Sequence, residues 1–332
     1  MKTLHALIAV CLLFACFAHA QKERALPKDL PPYGPVAPLK APTVKTLRLD
    51  NGLTIWMVAR EGFPKVALTV AVRGGLAADS KDRPGLAEVL AKSVTQGTKT
   101  RGARQVAEQF QAVGGDLSAR AGQDAIFVGT NVLADKFNPV LPVLADVVMN
   151  ANFPDAEVKI AKSNVLNSLR SREAQPSFLA GRALARVMFG DHPYGVIAPT
   201  QVSIEQTTAD DLRREFARRF QPKQAVLVVV GSFDATRAEA SLRQAFQPWK
   251  AEGGASVQET PKPTIQPSHA VFLVPRSGSV QTTRKVFDIS AAATASATWV
   301  LARSASMAFA AAPKCRWTFP SSPCASRLRN IS

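Results

Sequence analysis

Two short stretches of alternating polarity, residues 45–50 and 53–59, meet at Asn51-Gly52. Asn-Gly between alternating runs is a strong hairpin signal, because both central residues of the tight turn need a positive φ that Asn and Gly tolerate. The fold therefore starts with strands. Residues 66–73 alternate in the same way and stop at Gly74-Gly75, which predicts a third strand.

Helical spacing then takes over. Residues 85–96 place Leu86, Val89, Leu90 and Val94 at core spacing, and further helices are predicted over 103–113, 139–150, 155–172, 178–189, 209–220 and 235–246. Between them lie strands at 116–121 and 125–133, after a Gly114-Gly115 break, and an apolar, buried-type strand at 225–230. Strands arrive in hairpins and helices in runs. That order predicts an α+β fold, a two-layer sandwich of a mainly antiparallel sheet packed with helices. Residues 44–250, about 200 in all, suffice for one core.

The ends have a different character. Residues 1–20 combine Lys2, an apolar run from Ala6 to Phe17 and the triplet Ala18-His19-Ala20, the pattern of a secretory signal cleaved before Gln21. Export to a bacterial periplasm is the expectation. Lipid attachment at Cys16 is a second reading, which Phe14 beside the small residue fits poorly. Residues 21–43 form a Pro-rich leader, and 251–268, with Pro261, Pro263 and Pro267, read as a linker before a strand near 270–274. Residues 284–332 keep neither period for long and are predicted to be irregular. No later stretch reaches the roughly 18 apolar residues of a membrane span. Only Cys315 and Cys324 remain after the signal, so a disulfide scaffold is excluded.

The formal charge of +16 invites a nucleic-acid reading, yet residues 21–283 carry only about +9 of it. Arg213, Arg214, Arg218 and Arg219 share one predicted helix with Asp210, Asp211 and Glu215, which predicts a solvated helix face. There are no interleaved aromatics on which bases could stack, so no nucleic-acid partner is expected.

Catalytic candidates are scarce. A zinc site draws on His, Cys and carboxylates converging at about 2.0 to 2.3 Å. After the signal only His192 and His269 are left, neither with a second ligand at helical spacing, and both read as ordinary loop or surface residues. No G-x-S-x-G elbow, phosphate loop or G-x-G-x-x-G fingerprint occurs.

Several blocks nevertheless resemble one family. Leu47 to Leu53, Val70 to Gly75, Gly85-Leu86-Ala87 opening a helix before Gly97-Thr98, Phe189-Gly190-Asp191-His192-Pro193-Tyr194-Gly195, and Phe220-Gln221-Pro222 leading into residues 225–231 are together similar to the insulinase, or pitrilysin-type, zinc peptidases and the processing peptidases related to them. Active members carry H-x-x-E-H on the helix after Gly-Leu-Ala and a third ligand, a Glu, nearly eighty residues on. Here the first segment is Glu88-Val89-Leu90-Ala91-Lys92, and the third position falls near Ser168. The resemblance thus implies a degenerate motif, Glu88, Ala91, Lys92 and Ser168, with no catalytic residue, no metal ligand and no cofactor. Glu88 and Lys92, at i and i+4, are predicted to pair on the helix surface for about 0.3 to 0.5 kcal/mol.

By the same resemblance the chain is the non-catalytic half of a two-part peptidase. It would supply chamber wall and grip peptide substrates, while an active zinc peptidase paralogue holds the zinc. A peptide-binding or assembly module without a protease partner is the alternative; an active metalloendopeptidase using Glu88 with other ligands is less favoured. Relatives continue past the equivalent of Thr283 into a second full domain. The Ala/Ser/Arg-rich run from Arg284 onward instead reads as a shifted frame and a truncated product.

Overall fold

The computed structural model describes residues 41–251 and 260–263, and the backbone of three short strands beyond them. The expected signal segment, the leader up to residue 40, Cys16, Cys315 and Cys324 lie outside the described residues.

The first hairpin forms at the expected turn. β1 (Lys45–Arg48) and β2 (Thr54–Ala59) pair antiparallel, and Gly52 takes φ +92°. β3 (Lys65–Arg73), β4 (Asp116–Ala121), β5 (Ala125–Leu133) and β6 (Ala225–Gly231) complete a six-stranded sheet in the order β1-β2-β6-β3-β5-β4. Every pair is antiparallel except β2 with β6, which run parallel from Thr54↔Val226 to Ala59↔Gly231. β6 thus sits between β2 and β3, two strands that local alternation would have paired. Its unbroken apolar run suits the inside of a sheet. Leu227 and Val229 join Ile55, Met57, Leu68 and Val70 on the buried face, while Val226, Val228 and Val230 on the other are half-buried.

Eight helices are described: α1 (Leu86–Ser93), α2 (Ala103–Ala112), α3 (Phe137–Asn150), α4 (Asp155–Glu173), α5 (Pro176–Phe189), α6 (Gln201–Gln206), α7 (Ala209–Arg219) and α8 (Ala235–Phe246). α1 stops three residues before its predicted end, and the chain then turns through Gly97 at φ +131°. α6 was not predicted. Its single turn and a half is too short to show a period, and it depends on Thr200, whose hydroxyl accepts from the Ser203 N–H at 3.2 Å. Val89 and Leu90 of α1, Leu141 and Leu144 of α3, and Leu212 and Phe216 of α7 enter one core with the buried sheet face. Each such side chain contributes roughly 1.5 to 3 kcal/mol by leaving water. The expected two-layer, mainly antiparallel α+β architecture is the one observed.

Asn51 serves more than the turn. Its side-chain amide donates to the carbonyls of Phe246 at 2.8 Å and Trp249 at 3.1 Å, closing the first hairpin onto the end of α8.

β7 (His269–Leu273) pairs antiparallel with β8 (Val286–Asp288) and parallel with β9 (Arg329–Asn330). The strand predicted near 270–274 is present. His269 opens this strand and does not lie in a loop. The tail, predicted to be irregular, supplies two short strands that pair with β7; its remaining residues lie outside the described ones. Among the described residues no helix is long and apolar enough to cross a membrane.

Candidate functional site

α1 is held from beneath by a buried ionic node. Gly75 leaves β3 so tightly that a Cβ there would lie 2.1 Å from the Gly122 carbonyl. Five residues into the loop stands Asp79, whose carboxylate accepts from the N–H groups of Gly85 at 2.8 Å and Ala87 at 3.1 Å. These are orphan donors of the first helical turn, and an anion there also meets the positive end of the helix dipole. Gly85 itself has φ +90°, with Pro199 where a Cβ would go, so no other residue opens this helix without strain.

Arg219 binds the other side of Asp79. Its guanidinium donates to Asp79 Oδ1 at 2.8 Å, to the carbonyls of Gly74 and Gly75 at 2.6 and 3.1 Å, and to Glu215 at 2.7 Å. Arg219 is 0% exposed, which corrects the expected solvated face. Arg213, Arg214 and Arg218 do reach solvent, but Arg219 falls on the stripe of Leu212 and Phe216. Burial pushes the Asp79 carboxyl above its ordinary value, opposed by Arg219 and the two N–H donors. Burial pushes Glu215 in the same direction, but Arg218 and Arg219 outweigh it and hold it low.

On this support α1 presents the degenerate positions. Ala91 is buried and offers a methyl group; Lys92 is exposed and has no ion pair among the described residues. Ser168 is exposed on α4. Glu88 does not pair with Lys92 as predicted. Its carboxylate accepts from Arg172 Nη2 at 2.8 and 3.2 Å, a contact between α1 and α4, which pack side by side. Arg172 stands one turn beyond Ser168 and continues the buried stripe of Val165 and Leu169. A long guanidinium arriving from a packed neighbour displaces a flexible, solvated ammonium on the same helix. The Arg172 guanidinium also lies 5.5 Å from the centre of the Phe178 ring, and Arg182 lies 5.7 Å from it.

This donor set does not fit zinc. Glu88 is the one carboxylate, and it is committed to a cation; Ala91 has no donor, and an ammonium occupies the neighbouring position. Among the described residues no three His, Cys, Asp or Glu side chains are grouped to hold a metal ion.

The remaining functional candidate, His192, lies after α5. Nδ1 accepts from the Tyr194 N–H at 3.1 Å, so the ring proton sits on Nε2 and donates to Pro261 O at 2.8 Å. Tyr194 is fastened through its hydroxyl to Asp124 at 2.7 Å. Elsewhere Asp146, unremarked in the sequence, gathers Thr98, Thr100, Arg101 and Asn150 at 2.6 to 3.0 Å. Burial pushes its carboxyl up, but the bonds from Thr98, Asn150, Arg101 and Thr100 together hold it below its ordinary value.

The residues missed were Arg172, Arg219, Asp79 and Asp146. The first two left a signal, since each sits at helical spacing behind an apolar stripe. The two acids left none.

Known proteins are similar to this chain in sequence and in fold. The profile of the insulinase family (peptidase family M16) matches residues 56–198, and that of the peptidase M16 inactive domain matches 206–287. An uncharacterized zinc protease of Rickettsia bellii is 28% identical over 221 residues, covering 63% of this chain and 54% of its own. The chain thus spans about half the length of that relative. The fold is similar to a peptidase M16 inactive domain from Pseudomonas fluorescens (TM-score 0.64, 22% identity, 71% of this chain and 57% of the other). It is likewise similar to the first half of the periplasmic protease PqqL from Escherichia coli (TM-score 0.62, 19% identity, 69% and 50%). With both profiles matching in order along it, the chain belongs to the insulinase (M16) peptidase family.

Proposed function

We propose that this chain is an exported, non-catalytic insulinase-type homologue that acts as chamber wall and peptide-gripping subunit beside an active zinc peptidase. The observation that carries the proposal is that Glu88, at the first position where the family resemblance implies a metal ligand, is paired with Arg172, one turn beyond Ser168. With Glu88 committed to Arg172, Ala91 lacking a donor and Lys92 an ammonium, these positions supply neither a metal ligand set nor a free base for activating water.

The grip has a structural basis. β4 is an edge strand, and among the described residues nothing pairs along its far side. It packs against α1, the helix that carries Glu88, Ala91 and Lys92. An open edge of this kind accepts an extended peptide as an additional strand. The signal-like residues 1–20 support export, and similarity to a periplasmic protease of Escherichia coli is compatible with it.

The test is metal analysis and peptidase assay of the purified chain, alone and mixed with an M16 paralogue that retains H-x-x-E-H. The expected result is less than a tenth of a zinc per chain, no cleavage alone, and faster cleavage by the paralogue when the two are combined. One tight zinc per chain, or cleavage by this chain alone, overturns the proposal.

A further inference from the structure

A cavity of about 400 Å³ opens between the loop leading to α1 and the turn that follows α5. Both walls are fixed. The loop is held at Asp79 by Arg219 and at the Ala78 carbonyl by Arg218 at 3.2 Å. The turn is held by Tyr194 on Asp124, by Gln123 on the Val196 carbonyl at 3.4 Å, and by His192 between Tyr194 and Pro261. A site this constrained loses little freedom when it binds.

Its lining is unevenly charged. Lys81 and Arg186 project from opposite walls, and neither forms an ion pair or hydrogen bond through its side chain among the described residues. Asp191 is the single free acid, since Asp79 is spent on Arg219 and on α1. Both His192 ring nitrogens are already engaged, Nδ1 by the Tyr194 N–H and Nε2 by the Pro261 carbonyl. Two cations against one anion favour an anionic ligand. Leu76, Pro84 and Val196 supply apolar wall, and Val196 is 43% exposed. The volume lies at the small end of ligand cavities, about 300 to 1,000 Å³, which suits the end of a chain and not a folded partner.

We propose that this cavity binds the C-terminal carboxylate of a peptide, with Lys81 and Arg186 on the carboxylate and the last side chain against Leu76, Pro84 and Val196. The proposal deepens the peptide-gripping reading and rests on it. The cavity lies off α1 and holds one end of a substrate whose body runs elsewhere.

The test uses the full chain and N-terminally fluorescein-labelled octapeptides ending in Leu, read by fluorescence anisotropy at fixed salt. One peptide carries a free carboxylate and one a C-terminal amide; a third ends in an amidated Glu. The free acid should bind about tenfold more tightly than the amide, the loss expected for a charge-assisted hydrogen bond. Arg186→Gln and Lys81→Gln should each weaken the acid several-fold, leave the amide unchanged and not shift the melting temperature. Equal binding of acid and amide, no binding of either, or indifference to both substitutions overturns the proposal, as does an amidated Glu that binds as tightly as the free acid. Cleaved peptide in the same samples, seen by mass spectrometry, would instead count against the non-catalytic reading and leave the acid-to-amide comparison intact.

Discussion

The pair of Glu88 and Arg172 ties α1 to α4 beside the positions where the family resemblance implies metal ligands, and its strength is measurable by a double-mutant cycle. Arg172 Nη2 reaches both carboxylate oxygens, and the side chains are 30% and 16% exposed. A fully exposed pair contributes about 0.2 to 1 kcal/mol, and breaking a buried one costs about 3 to 5. Partial exposure places this pair between those limits. Among the described residues Arg172 Nε is buried without a hydrogen-bond partner, which subtracts from the gain. The expected coupling is about 1 to 2 kcal/mol. Glu88→Gln, Arg172→Met and the double variant would be unfolded in urea and followed by far-ultraviolet circular dichroism. For a domain of this size 1.5 kcal/mol corresponds to about 3 to 6 °C in Tm. The single substitutions should therefore sum to more than the double. A coupling below about 0.3 kcal/mol would refute the idea that an ion pair has taken over this contact. So would a Tm that falls on chelation, since a metal would then still be holding the helices.

Arg219→Met should cost about 3 to 5 kcal/mol, because it strands Asp79 in the interior and frees the Gly74 and Gly75 carbonyls. Arg214→Met, on the same helix with its side chain 70% exposed, should stay within about 0.5 kcal/mol; equal losses in urea titrations would contradict the buried node. The acid limb of stability should depend on Asp146. Its folded carboxyl titrates below the unfolded value of about 3.9, so its contribution is complete above that value and is lost as pH falls through the lower, folded one. The gap in urea midpoint between wild type and Asp146→Asn should accordingly close below about pH 4, and a gap constant from pH 7 to pH 3 would refute the assignment.

Much of the layout is written locally. Asn51-Gly52 requires a turn of positive φ, the alternation of residues 66–73 requires a strand with one wet face, and Leu86, Val89 and Leu90 require a helix with one dry face. Each requirement involves neighbours within a few residues, so it survives without tertiary context. The absence of both His from the α1 motif, and of a Glu at position 91, is also a property of sequence alone, because no folding can create a donor at Ala91.

Tertiary structure decided which distant groups meet. β6 enters between β2 and β3 because an apolar strand gains most where both edges are paired, a long-range choice that periodicity does not encode. Glu88 had a cation in reach on its own helix, yet the packing of α1 on α4 delivered Arg172 in better geometry and a drier place. Arg219 is identical in chemistry to Arg214, and a hundred degrees of rotation per residue put one in the core and the other in water. Local chemistry fixes what each segment can be, while charge partners follow from burial and approach, which exist only once the segments have packed.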